Sequence, residues 1–202
     1  MKLVDIHAHL NFPQFDEDRE VVIERARVAG VGMINVGTDL ETSRGAVTLA
    51  ETNDDMWATV GLHPTDPPEA DKSTQTFIDL EHLANHDRVV AIGECGLDYF
   101  HVADPILRAK QAELFIKQIE LAMTVGKPLM IHCRPSLGTQ DAYEDILQIL
   151  NQKLEARSQK LFGNIHFFVG DWTTAKKFLD LNFTLSFTGV LTFTHDYDEV
   201  VK

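Results

Sequence analysis

The sequence predicts an α/β fold of the TIM type, a (β/α) barrel that stops after about seven strands. Three observations carry this. Short apolar runs alternate with longer segments of helical period, and the runs are apolar on both faces, as buried parallel strands are. The glycine-rich loops that mark nucleotide-binding sheets do not occur between them. The apolar runs end again and again in a histidine or a carboxylate, and a barrel gathers its strand ends at one mouth.

The elements follow in order. Residues 3–9 form the first strand, with Asp5, His7 and His9 on one face and Ile6 and Ala8 on the other. After the loop Asn11-Phe12-Pro13, residues 15–29 read as a helix, with Val21, Val22, Ala26 and Ala29 at helical spacing and Gly30 as its stop. Residues 31–36 are a strand, and Asp39 is placed to cap a helix over 40–51. Residues 56–62 are the third strand, closed by His63-Pro64 and followed by a proline-rich acidic loop over 65–73. A short helix over 77–83 leads to a fourth strand over 88–93, ending in Glu94. Asp104-Pro105 opens a long helix in which Leu107, Leu114 and Leu121 recur every seven residues and Phe115, Ile119 and Met123 every four. Gly126 stops that helix and Pro128 prevents its return. Residues 129–131 are the fifth strand, ending in His132, followed by a helix over 141–156. Residues 161–165 are the sixth strand, ending in His166, followed by a helix over 173–181 and a seventh strand over 183–187. No linker or low-complexity segment interrupts the pattern, so residues 1–202 read as a single domain.

Composition narrows the function. With 44% hydrophobic and 24% charged residues the chain is an ordinary globular one. No apolar run approaches the roughly 18 residues needed to cross a bilayer, and no signal peptide is evident. Cys95 and Cys133 make no disulfide framework, which fits the cytoplasm. The net charge of −13 excludes a general attraction for nucleic acid or anionic membranes. A phosphodiester substrate would have to be drawn in by bound cations and a few local basic side chains.

The strand ends supply His7, His9, His63, Glu94, His132 and His166. A structural zinc takes four ligands and leaves no open position. This larger set suits two divalent ions (Mg²⁺, Mn²⁺ or Zn²⁺), with Glu94 placed to bridge them. His82, His86 and His195 lie in polar or helical surroundings, and His101 stands in the loop after Tyr99, within reach of the mouth. Cys95 and Cys133 each follow a site residue directly, so on a strand they point the other way.

Five motifs stand in order along the chain: Val4-Asp5-Ile6-His7-Ala8-His9-Leu10, Val60-Gly61-Leu62-His63-Pro64, Gly93-Glu94-Cys95-Gly96-Leu97-Asp98-Tyr99, Ile131-His132-Cys133-Arg134 and Ser186-Phe187-Thr188-Gly189. Together they resemble the TatD family of metal-dependent deoxyribonucleases, which belongs to the amidohydrolase-like barrels. The resemblance implies that His7 and His9 hold a first metal, that Glu94 bridges and is catalytic, and that His132 and His166 hold a second. It implies that His63 and Arg134 lie near the substrate phosphate. The implied activity is hydrolysis of DNA phosphodiesters from the 3′ end, with DNA as the partner.

The sequence departs from the family in two places. Phe167-Phe168-Val169-Gly170 stands where the family often has a small residue and a serine before the glycine. The family's last strand, ending in a Glu-Thr-Asp stretch whose Asp is a metal ligand, has no match here: Asp196 and Asp198 lie in a polar, helix-like tail. An unclosed barrel leaves two sheet edges open. The readings left open are a piece of a longer protein, a partner chain or self-association at that edge, and a degenerate, non-catalytic homologue. An amidohydrolase-type enzyme acting on a small ester, lactone or phosphoester also remains, favoured by the acidic charge. Salt dependence separates it from a nuclease, because backbone contacts to DNA weaken steeply with salt.

Overall fold

A computed structural model describes residues 1–67, 73–156 and 160–202, so most of the proline-rich loop falls outside the described residues. One parallel sheet contains seven strands in sequence order: β1 (Leu3–Ala8), β2 (Val31–Val36), β3 (Met56–Val60), β4 (Val89–Asp98), β5 (Leu129–Arg134), β6 (Gly163–His166) and β7 (Phe183–Leu185). Between them run the helices α1 (Arg19–Ala29), α2 (Leu40–Thr52), α3 (Ser73–Ala84), α4 (Pro105–Val125), α5 (Asp141–Ala156) and α6 (Trp172–Asp180), and a short α7 (Asp198–Val201) follows the sheet. Among the described residues, no helix is long and apolar enough to cross a membrane.

The punctuation seen in the sequence makes the helix ends. Gly30 and Gly126 take the left-handed conformation after α1 and α4, with φ of 77° and 67°. Asp39 forms a capping box with Thr42 at the start of α2, and Asp104 caps α4 with Pro105 at its first position. Each of the first six helices buries apolar side chains against the sheet: Ile23, Ala46, Leu80, Phe115, Ile146 and Phe178.

The sheet is strongly curled. The ring of His7, on β1, stacks on that of His166, at the end of β6, with centroids 3.4 Å apart and planes 8° from parallel. In a flat sheet those strands would lie about 24 Å apart, five spacings of about 4.8 Å. The curl brings the strand ends together without hydrogen bonding of β1 to β7 among the described residues.

Some elements differ from expectation. Residues 13–15 form a 3-10 turn, and α1 begins only at Arg19, whose guanidinium bonds back to the carbonyls of Leu10 and Phe12 and to Asp16. On α1 the buried residue is Ile23, and Val21 is exposed; on α4 Leu107 is exposed while Gln111 and Gln118 are buried. The fourth strand does not end before Glu94 but runs on to Asp98. Gly93 and Gly96 are bends inside it, with φ of 149° and 136°, and the register with β5 shifts across Gly93, between Ile92 and Cys95. They also allow close approach: a Cβ on Gly96 would lie 2.0 Å from the carbonyl oxygen of His132. Gly96→Ala is therefore expected to destabilise the fold by about 2 kcal/mol or more. Urea denaturation measures this, and an unchanged midpoint would show that β4 and β5 do not approach so closely.

Candidate metal centre

Five strands, β1 and β3 to β6, build one polar cluster. On β1 the register with β2 slips between Asp5 and Ala8, and the exposed Asp5 accepts a hydrogen bond from the backbone N–H of His7 at 3.0 Å. Both imidazoles turn inward, with their Nε2 atoms 3.1 Å apart. His9 Nδ1 lies 3.1 Å from the carbonyl oxygen of Val36. A carbonyl only accepts, so Nδ1 carries the proton and Nε2 presents its lone pair. Buffered by the buried Asn35, whose Oδ1 accepts from Leu10 N–H at 3.1 Å, the chain just past His9 is fixed as well.

Glu94 sits at the centre and is only 4% exposed. Its Oε2 lies 3.3 Å from His7 Nε2 and 3.9 Å from His9 Nε2. Its Oε1 lies 2.9 Å from His132 Nδ1 and 3.9 Å from His63 Nε2. Each carboxylate oxygen thus faces its own pair of histidines. Burial by itself would raise the Glu94 carboxyl, but hydrogen bonds from His132 and His7 hold it well below the usual carboxylate range.

His132 is held from both sides, its Nε2 lying 3.0 Å from Asp98 Oδ2. Burial works against its charge, but the bonds to Asp98 and Glu94 prevail and push its pKa up to about 9. Asp98 is 1% exposed and also accepts from His101, at the backbone N–H and at Nδ1. His63 contacts Thr65 Oγ1 through Nδ1 at 2.7 Å, and burial followed by the proximity of His132 lowers its pKa to about 4. His166 pairs in register with His132 and stacks on His7; burial, then His7, lowers its pKa to about 3. Both rings are therefore neutral near pH 7, the form that ligates metals. Arg134 is exposed at the end of β5, its guanidinium 4.1 Å above the ring of Phe100.

Helix α4 fixes two of these strand ends from behind. The Gln118 amide accepts from Leu62 N–H at 2.8 Å and donates to the Leu62 carbonyl at 2.9 Å, one residue before His63. The Gln111 amide does the same for Asp98, at 3.0 and 3.3 Å. The two glutamines are one heptad apart, on the buried face shared with Leu114 and Leu121.

All six strand-end residues singled out from the sequence meet here. His7, His9 and Glu94 form one group of convergent donor atoms, and His63, Glu94 and His132 form another, each within 4.8 Å. His166 lies against His7 and outside both groups. The donors suit divalent cations, and one detail favours them: His7 Nδ1 is buried without a hydrogen-bond partner while the Nε2 atoms of His7 and His9 crowd against each other and a carboxylate. Sequence reading missed Asp98 and the two glutamines. The signal for Asp98 was present in Gly96-Leu97-Asp98, hidden by reading the strand as ended; the signal for the glutamines was their spacing of seven. Cys95 and Cys133 are free, buried thiols, pushed up by burial, as inert packing residues are.

Several known proteins are similar to this chain. A relative from Bacillus subtilis, described as the uncharacterized metal-dependent hydrolase YabD, is 39% identical over 99% of this chain and 74% of its own length. The 3'-5' ssDNA/RNA exonuclease TatD of Cronobacter sakazakii is 35% identical over 93% of this chain, which spans 66% of that protein. The crystal structure of YJJV, a TatD homologue from Escherichia coli, superimposes with a TM-score of 0.75 at 27% identity, covering 91% of this chain and 66% of that one. The profile of the TatD related DNase family matches residues 4–202, and the chain belongs to that family.

Proposed function

We propose that this single domain hydrolyses DNA phosphodiesters with two divalent ions, Mg²⁺, Mn²⁺ or Zn²⁺, acting from the 3′ end. One observation carries the reading: the buried Glu94 carboxylate presents one oxygen to His7 and His9 and the other to His132 and His63. In this reading His7 and His9 hold the first ion, and Glu94 bridges. His132 and His166 hold the second, and His63 and Arg134 face the substrate phosphate. When bound, such a pair supplies Lewis acidity and lowers the pKa of a water to about 7.

The protein's own groups do the positioning. His9 keeps its Nδ1 proton on Val36 and aims Nε2 inward. Asp98 keeps the Nε2 proton of His132, so Nδ1 is the nitrogen turned to the centre. Arg134 enters no ion pair among the described residues and offers the exposed cation that an otherwise acidic chain needs for a phosphate. The relatives' 3′–5′ exonuclease activity supports the polarity. Two buried, unpaired thiols support a reducing compartment, the cytoplasm. A second copy or partner chain along β1 or β7 belongs to the same proposal.

The net charge of −13 favours the small-ester reading instead, and salt decides between them. Cleavage of oligothymidylate in Mg²⁺ or Mn²⁺ is expected, lost on chelation and steeply weakened by salt. Salt-insensitive hydrolysis of a small ester, with oligothymidylate untouched, would overturn the nuclease reading. Saturating Mn²⁺, at about 100 times its Kd, is expected to stabilise the parent by about 2.7 kcal/mol and to leave Glu94→Gln unmoved. Metal analysis separates the two outer histidines: His166→Ala is expected to lose one equivalent, whereas His63→Ala keeps both and loses turnover. The reverse result would exchange their roles.

The Asp98–His132 bond has its own signature in the metal-free protein. The folded pKa of about 9 lies above the ordinary 6.5, so the protonated ring's stabilisation is complete below pH 6.5 and is lost as pH rises through 9. Asp98→Asn is expected to bring the His132 titration down towards the ordinary value, read by NMR of the imidazole protons. An unmoved titration would show that Asp98 does not hold that proton.

A further inference from the structure

Phe167 occupies an unusual place for a large apolar side chain. It follows His166 directly on the rim, is 44% exposed, and has a φ of 50°. A bulky aromatic residue rarely adopts that left-handed conformation, and the surrounding structure must impose it. The next two residues do so: Phe168 N–H donates to the Ser186 carbonyl at 2.9 Å, and Val169 N–H donates to the Tyr143 hydroxyl at 3.0 Å. The ring is thereby kept out of the core and stands edge-on to His166, with centroids 6.0 Å apart.

The space beside it is a small cavity of about 190 Å³, lined by Phe167, Val169 and Cys133 together with His132, Arg134 and His166. It is smaller than the roughly 300–1,000 Å³ of clefts that enclose whole drug-sized ligands, and so suits a single ring system. One wall is an exposed aromatic ring, and another carries the Arg134 guanidinium, free of carboxylates among the described residues. The cavity touches the metal centre through His132 and His166.

We propose that Phe167 is a stacking platform for one unpaired nucleobase at a strand end, with the adjoining phosphate at Arg134 and the metal centre. The inference rests on the nuclease reading and adds a base subsite to it. A flat ring offered at the rim takes any base by its face, whereas a base held inside a duplex has no face to give. Arg134 matches the charge of the phosphate, and the cavity admits one ring beside it.

The test uses oligothymidylate carrying a phosphorothioate at its last linkage and a 5′ fluorophore, in Mg²⁺, with binding read by anisotropy. A second probe is identical except for an abasic 3′ residue. The parent is expected to bind the intact probe about tenfold or more tighter than the abasic one. Phe167→Gly is expected to erase that ratio, and Phe167→Tyr to keep it. Glycine adopts this φ without strain, so Phe167→Gly is expected to melt at or above the parent, and loss of the ratio is then not unfolding. An undiminished ratio in Phe167→Gly, or equal binding of both probes by a parent that cleaves DNA, would overturn the stacking role alone. A parent that neither binds nor cleaves oligothymidylate would overturn the nuclease reading with it.

Discussion

The structure depends on keeping one carboxylate charged almost out of water. Glu94 is 4% exposed and its ionised form is favoured, although burial opposes it. An isolated buried carboxylate would neutralise itself, so its neighbours must compensate. They do so by geometry: imidazoles from β1, from the end of β3 and from β5 meet it from opposite sides. Only a parallel sheet curled far enough to bring β1 against β6 allows that meeting. The demand for partners around Glu94 and the curvature of the sheet are one constraint seen twice.

The precision of the centre comes from buried amides behind it. Gln111 and Gln118 each satisfy both the N–H and the C=O of one strand-end residue, so no polar group is left unpaired by their burial. Asn35 does half of this for Leu10. An apolar side chain at those positions would fill the space and leave the strand ends free to shift. The arrangement reads as stability spent on position, since buried amides contribute less than a packed apolar side chain would.

The rim differs from the rest of the surface. The chain carries a net charge of −13, yet the exposed side chains beside the centre include Arg134, Phe100 and Phe167. Aromatic faces with one cation form a surface for a planar, anionic ligand rather than for water alone. The centre and its rim therefore point to the same class of molecule from two directions, one through the phosphate and one through the base.

Much of this was legible in the sequence. Period-two alternation put His7 and His9 on one face, and Gly30, Asp39, Asp104 and Gly126 marked helix ends that the structure reproduces. These are short-range signals, because a helix stop or a strand face is decided within a few residues. The strand ends were legible as a set, since any barrel collects them. What the sequence could not decide was distance. The sequence pattern ends the fourth strand at Gly93; only contact with the β5 backbone makes Gly93 and Gly96 bends in a ten-residue strand that delivers Asp98. Whether His63 or His166 stands nearer Glu94 depends on how far the sheet curls, and that is the sum of packing across the five strand spacings from β1 to β6. Local pattern chose the residues, and the accumulated curvature of the sheet chose which of their atoms meet.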